Sequence, residues 1–349
     1  MCGMKSRTDR LQYKVFNKGQ KMDKVKVQSW IKKNIVFIFL IFMCTVFGLL
    51  NKTFLTSKNI FNLTSQMSIN ALLATGLTYV IILGGIDISV GSVAALAGVC
   101  AAMIGLRIPN LNTASGVIVL LGSAIVIGGV CGTFNGIMIT RFKVVPMIAT
   151  LAMMTIARGI TYIITGGVAV FGLPASFSWL GAGRLFKSVG NPNGIIPIVS
   201  IFTIVVVVIF HLLLSKTVFG RHVYAVGSNV NVAHLSGINI ARVTLTGYIL
   251  CSVTAALGGV LVASKLQNGQ PAACEGYEMY AIASTVLGGT SLTGGSGSVG
   301  RAMFGVAIIA VINNGMNLLH ISSYWQKVVI GSIILLAVIL DMAQKKKNA

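Results

Sequence analysis

Residues 216–242 read KTVFGRHVYAVGSNVNVAHLSGINIAR, the longest polar interruption in the second half of the chain, and long apolar segments flank it. The stretch therefore has to leave an apolar environment that its flanks cross. Val226, Val230, Ala233 and Leu235 give it a small apolar face at roughly helical spacing. Ser228 or Asn229 can cap the start of a short helix, and Gly237 can end it in a left-handed turn. A short capped helix held between membrane spans is something for another protein to grip, whereas a solvated connector is the plainer reading of a polar loop.

Composition carries the same message outward. Of 349 residues, 55% are hydrophobic and only 9% charged, which excludes a soluble globule and makes the chain a polytopic membrane protein. The net charge of +21 does not point to nucleic acid, because the basic residues lie at the edges of apolar runs instead of forming a patch with interleaved aromatics. Candidate spans are 35–51, 66–84, 89–106, 115–139, 146–166, 195–215, 243–264, 279–290, 301–319 and 325–341. The expected fold is an all-α membrane bundle of about ten helices, the eighth too short to cross alone and bent or broken. The run 35–50 has no small-residue cleavage site after it and is kept as a span.

With the N-terminus placed inside, the inside segments hold 19 of the 27 Lys and Arg residues and the outside loops six. That asymmetry predicts cytoplasmic N- and C-termini. The expected organisation is a basic cytoplasmic segment over 1–34, a transmembrane domain over 35–341 and a basic cytoplasmic tail over 342–349. Residues 216–242 then face the cytoplasm and 167–194 the outside.

One internal repeat supports two similar halves. Residues 83–92 read LGGIDISVGS and 287–296 read LGGTSLTGGS, and both follow a segment that enters from outside. Broken helices at matched positions are a common transporter device, although Gly-rich turns also resemble one another by chance. Gly128, Gly132 and Gly136, spaced by four, are expected to pack a neighbouring helix within the subunit, with Asn135 bonding across the contact.

Little in the chain suggests covalent chemistry. GSGSVGRA (295–302) looks like a phosphate loop but lacks its Lys-Ser/Thr ending, and as a dinucleotide fingerprint it lacks a βαβ unit. The six cysteines show no CxxC pairing, the four histidines have no ligand spacing, and no Ser, His and Asp set emerges. No metal or cofactor is expected. Asp87 suits an N-cap better than an ion site, while Glu275 and Glu278 fall in what reads as a solvated external segment, 267–279. Arg158, in the middle of an apolar span, should face the bundle interior or a polar cavity. Asn313, Asn314 and Asn317 are packing glue or pathway lining. Arg184, Lys187 and Lys265 lie outside, where they meet either lipid headgroups or carboxylates of an incoming protein.

Several blocks together resemble the permease subunits of bacterial ABC importers for monosaccharides, nearest the ribose type. They are GLTYVIILGGIDISVGSVAALAGV (76–99), VVPMIATLAMMTIARGITYIITGG (144–167), SNVNVAHLSGIN (228–239), YEMYAIASTVLGGTSLTGGSGSVG (277–300) and NNGMNLLHISSYWQKVVIGSIILLAVILD (313–341). The resemblance covers nearly everything after about residue 30. It implies a homodimer in the bacterial cytoplasmic membrane, a pair of cytoplasmic ATPase subunits and an extracytoplasmic sugar-binding protein. It also implies a coupling helix formed by Ser228, Asn229, Val230, Asn231, Ala233, His234, Leu235, Ser236 and Gly237. Cys274 and Glu275 depart from the expected pattern. The competing readings are an ion-coupled secondary sugar carrier, disfavoured for want of membrane carboxylates, and a membrane enzyme, for which no nucleophile or acid pair speaks.

Overall fold

Helix α10, Ile240–Leu266, is the element on which the first half of the bundle is built. It is nearly featureless in amphipathicity and buried along most of its length, as a helix surrounded by other helices must be. The computed structural model describes residues 36–108, 112–186 and 194–348. Before α10 come α1 (Val36–Leu50), α2 (Ser57–Ile82), α3 (Val90–Arg107), α4 (Thr113–Thr140), α5 (Pro146–Thr165) and the short α6 (Trp179–Ala182). These are followed by α7 (Ile198–Lys216), α8 (Val218–Ser228) and α9 (Val230–Leu235), and after α10 by α11 (Tyr277–Leu287), α12 (Val299–Leu318) and α13 (Ser323–Asn348).

The helical, polytopic architecture is as expected. Among the described residues, seven helices are long and apolar enough to cross a membrane: α2, α3, α4, α5, α7, α10 and α12. The apolar helices Val36–Leu50 and Ser323–Leu336 are shorter, and α11, at 11 residues, is about 16 Å long and cannot cross alone. Residues 1–34 and Lys187 lie outside the described residues, and α13 continues without a break through the expected boundary at 341.

Glycine sets how closely the helices approach α10. Gly128, Gly132 and Gly136 of α4 face the α10 backbone at Ser252–Val253, Tyr248–Ile249 and Leu245, and Gly259 of α10 faces the backbone of Ala94 on α3. Without side chains at these points the main chains pack directly, which is how helices gain dispersion contacts where lipid removes the hydrophobic drive. Polar pairs add to this. Asn314 and Asn59 exchange amide hydrogen bonds of 2.8 and 3.1 Å between α12 and α2, and Gln326 donates to Asn317 at 2.7 Å between α13 and α12. Asn314 and Asn317 thus each hydrogen-bond across a helix pair.

The two LGG turns are structurally equivalent, with a register one residue away from the sequence match. Gly84 donates to Ile81 and Gly85 to Val80 after α2, and Gly289 donates to Val286 and Thr290 to Thr285 after α11. Gly84 (φ +83°) therefore matches Gly289 (φ +84°), both in the left-handed conformation that glycine adopts at no steric cost. Aligning the letters pairs Gly84 with Gly288 instead.

Candidate functional site at the α8 and α9 end of the bundle

Helix α8 begins where Thr217 caps it, its side chain accepting from the Gly220 N–H at 3.2 Å. Val223 and Val226 turn inward. They join Ile82 at the end of α2, Leu214, Val243 and Val299 at the start of α12 in one apolar cluster, to which α9 contributes Ala233. Asn229 then caps α9, its Oδ1 accepting from the N–H groups of Asn231 and Val232 at 3.0 and 3.1 Å. Ser228 is the last residue of α8 and not the cap. Gly237 takes the left-handed conformation at φ +77°. The backbone closes α9 with Gly237 N–H donating to His234 and Ile238 N–H to Ala233, the pattern of a glycine-terminated helix.

The apolar face expected from spacing is split by the structure. Val226 and Ala233 are buried, but Val230, Val232 and Leu235 point outward, Leu235 at 86% exposure. Polar Asn231, His234 and Ser236 are exposed between them. A helix of 6 residues thus leaves three aliphatic side chains largely uncovered by the rest of the subunit.

Sequence reasoning missed what lies behind α9. The backbone of Gly227, in the last turn of α8, lies against the Ile82 carbonyl and the Gly295 N–H, and Ser228 lies against Gly295. Gly295 itself donates to the Ile82 carbonyl at 2.8 Å. Tyr224 reaches from α8 to the Gly297 carbonyl at 2.8 Å, and burial raises its hydroxyl pKa, keeping it a donor. The end of α2 and the loop between α11 and α12 therefore meet on one turn of α8, immediately ahead of α9. The repeated LGG motif was the available signal.

The other singled-out residues lie away from α8 and α9. Asp87 is fully buried ahead of α3, its Oδ1 accepting from Ser89 N–H (2.9 Å) and Ser89 Oγ (2.6 Å), and Asn135 of α4 donates to Ser89 Oγ at 3.1 Å. Asp87 is therefore not the N-cap expected from the sequence: Ser89 stands at that position, without a side-chain capping bond, and Asp87 ties the α2–α3 break through it. Asn313 is half-buried, with Oδ1 unbonded among the described residues. Arg184 donates to Asn62 and Lys265 to Ser65, both at 3.0 Å, so each cation binds a polar side chain of α2. Arg158, on α5, donates from one nitrogen to the carbonyls of Pro271 (2.6 Å) and Ala273 (3.0 Å).

A family model described as a branched-chain amino acid transport system / permease component matches residues 59–338, which take in every element of this site. The chain belongs to that permease family. The permease is 44% identical over 313 residues to the ribose import permease protein RbsC of Bacillus subtilis, covering 90% of this chain and 92% of that one. It is 38% identical over 319 residues to RbsC of Escherichia coli K12, covering 90% and 95%. To the L-arabinose transport system permease protein AraH of Escherichia coli K12 it is 37% identical over 312 residues, covering 89% and 90%. No solved structure matches the permease.

Proposed function

We propose that this chain is the membrane-spanning subunit of an ATP-binding cassette importer that carries a monosaccharide, ribose or a related sugar, across the bacterial cytoplasmic membrane. Two copies form the pathway, a separate cytoplasmic ATPase pair supplies the energy, and an extracytoplasmic binding protein delivers the sugar. Both termini and α9 lie on the cytoplasmic side, and the subunit itself performs no covalent step. The basic segments 1–34 and 342–349 flank the membrane domain on that side.

The observation that carries this reading is the outward aliphatic face of α9, which directly follows a turn of α8 that contacts both helix breaks. A partner that grips Val230, Val232 and Leu235 and then moves pushes α8 against the end of α2 and the α11–α12 loop at once. Small displacements there bias packed helices between two arrangements, because close-packed elements switch between states instead of deforming smoothly. That is what alternating access driven from outside the membrane requires.

The ion-coupled carrier loses its original counter-argument, since Glu278 is half-buried within the bundle and not in external solvent. Family membership and the α9 handle favour the ATP-driven reading instead. The test is ribose uptake into proteoliposomes that hold this chain with its cognate ATPase and binding protein. Uptake on adding ATP with no ion gradient is expected; uptake driven by a proton or sodium gradient without ATP overturns the proposal.

A further inference from the structure

Residues 267–276 run back into the bundle instead of looping outside it. They leave α10 at Leu266, and Gly269 pairs with Val170 through hydrogen bonds of 2.9 Å in both directions. The next residues are then held at mid-length of two spanning helices. Arg158, in the middle of α5, binds the Pro271 and Ala273 carbonyls. Asn70, at the midpoint of α2, donates to Ser284 of α11 at 2.9 Å. Glu275 lies between those two anchors. Non-helical backbone is tolerated at membrane depth only where protein covers it or water reaches it, and here Pro271 and Cys274 are buried and Arg158 satisfies two of the freed carbonyls.

Glu275, however, is exposed, as is Gln270 on the same segment, with Tyr277, Glu278 and Tyr280 half-buried beside it. Glu278 interacts electrostatically with both Glu275 and Arg158. The rings of Tyr277 and Tyr280 lie 5.8 Å apart. A carboxylate at that depth does not face hydrocarbon, where an ionised group is costly even when the bilayer relaxes around it. The exposed middles of α4 and α7 look different: Ile125, Val126 and Val130, and Val205, Val208 and Ile209, are wholly apolar and suit lipid. The exposed carboxylate and amide of this segment stand instead beside α5.

We propose that Glu275, supported by Gln270 and the Tyr277–Tyr280 pair, is a contact point for the hydroxyl groups of the sugar as it passes the middle of the membrane. The chemistry fits a polyol: a carboxylate accepts from adjacent hydroxyls, an amide both donates and accepts, and a phenol ring offers an apolar face with a polar tip. Arg158 acts as a positioning residue by pinning the segment. One exposed carboxylate makes a weak station, which suits a conduit that has to release its cargo. This inference rests on reading the chain as a sugar permease.

The test is Glu275→Cys in the complete complex in vesicles, probed with a membrane-impermeant trimethylammonium methanethiosulfonate. The five described cysteines are buried or half-buried, so the unsubstituted complex gives the background. Modification of Cys at 275 is expected to be at least about ten-fold faster than that background, since thiol reactivity follows exposure to water. Ribose should slow it. Glu275→Gln, which keeps the shape and loses the charge, should lower ribose uptake by about ten-fold, the scale of one charge-assisted hydrogen bond. Absence of modification in both nucleotide-free and ATP-bound complexes, as expected if the residue faces lipid or a second copy of the chain, overturns the proposal. Modification that ribose does not slow also overturns it. An unsubstituted complex that carries no pentose refutes the transport reading, a result distinct from transport with an unreactive Cys at 275.

Discussion

Gly227→Val is expected to weaken strongly the coupling of ATP hydrolysis to uptake while leaving the protein in the membrane. The added side chain meets the Ile82 carbonyl and the Gly295 N–H, and neither is the yielding end of a side chain. Overpacking costs about 1–3 kcal/mol when neighbours can shift; against backbone on two sides, α8 has to move away from the ends it contacts. At about a factor of ten per 1.4 kcal/mol, uptake should fall by about ten- to hundred-fold. The control is Gly122→Val on α4, where an added Cβ meets nothing within 4 Å and uptake should be retained. Purified yield separates coupling from folding, because the Gly227 contacts lie at one end of the bundle. Equal uptake by the two variants would mean that α8 does not transmit force to the helix breaks.

Arg158→Ala should be the most damaging change in the middle of α5. It leaves the Pro271 and Ala273 carbonyls without their donor, and each orphaned buried group costs about 1–3 kcal/mol. It also removes the positive charge that faces Glu278. The expected result is a lower thermal midpoint in detergent and loss of ribose uptake, with Arg158→Lys intermediate because a single ammonium cannot reproduce the planar guanidinium geometry. Lys52→Ala, an exposed cation between α1 and α2, supplies the comparison and should behave as the unsubstituted protein. Matching midpoints for Arg158→Ala and Lys52→Ala would show that the segment 267–276 is held by something else.

The sequence made the bundle legible because its apolar runs are long and its charges sit at their edges. The α4 glycine stripe also read correctly, since spacing by four has one geometric meaning on a helix. What escaped was anything set by tertiary placement. Segment 267–279 carries Gln267, Asn268, Gln270, Glu275 and Glu278, which locally reads as an outside loop. Its descent beside α5 depends on Arg158, more than a hundred residues earlier. Val226 and Leu235 look alike as periodic apolar positions, yet one packs under α8 and the other protrudes from α9, because the chain breaks between the helices at Asn229. The repeat was visible, but its register was not: left-handed conformation at Gly84 and Gly289 decides it, and letters cannot.

The central claim, that α9 is the handle for the ATPase, is tested most directly by photo-cross-linking. Leu235→Cys carries a benzophenone maleimide in the assembled complex, and Lys52→Cys, at the opposite end of the bundle, carries the same group. On irradiation the Leu235 site should join the ATPase subunit and the Lys52 site should not. Leu235 adducts found only with lipid or with the binding protein, in a complex that still takes up ribose on ATP, would contradict the account.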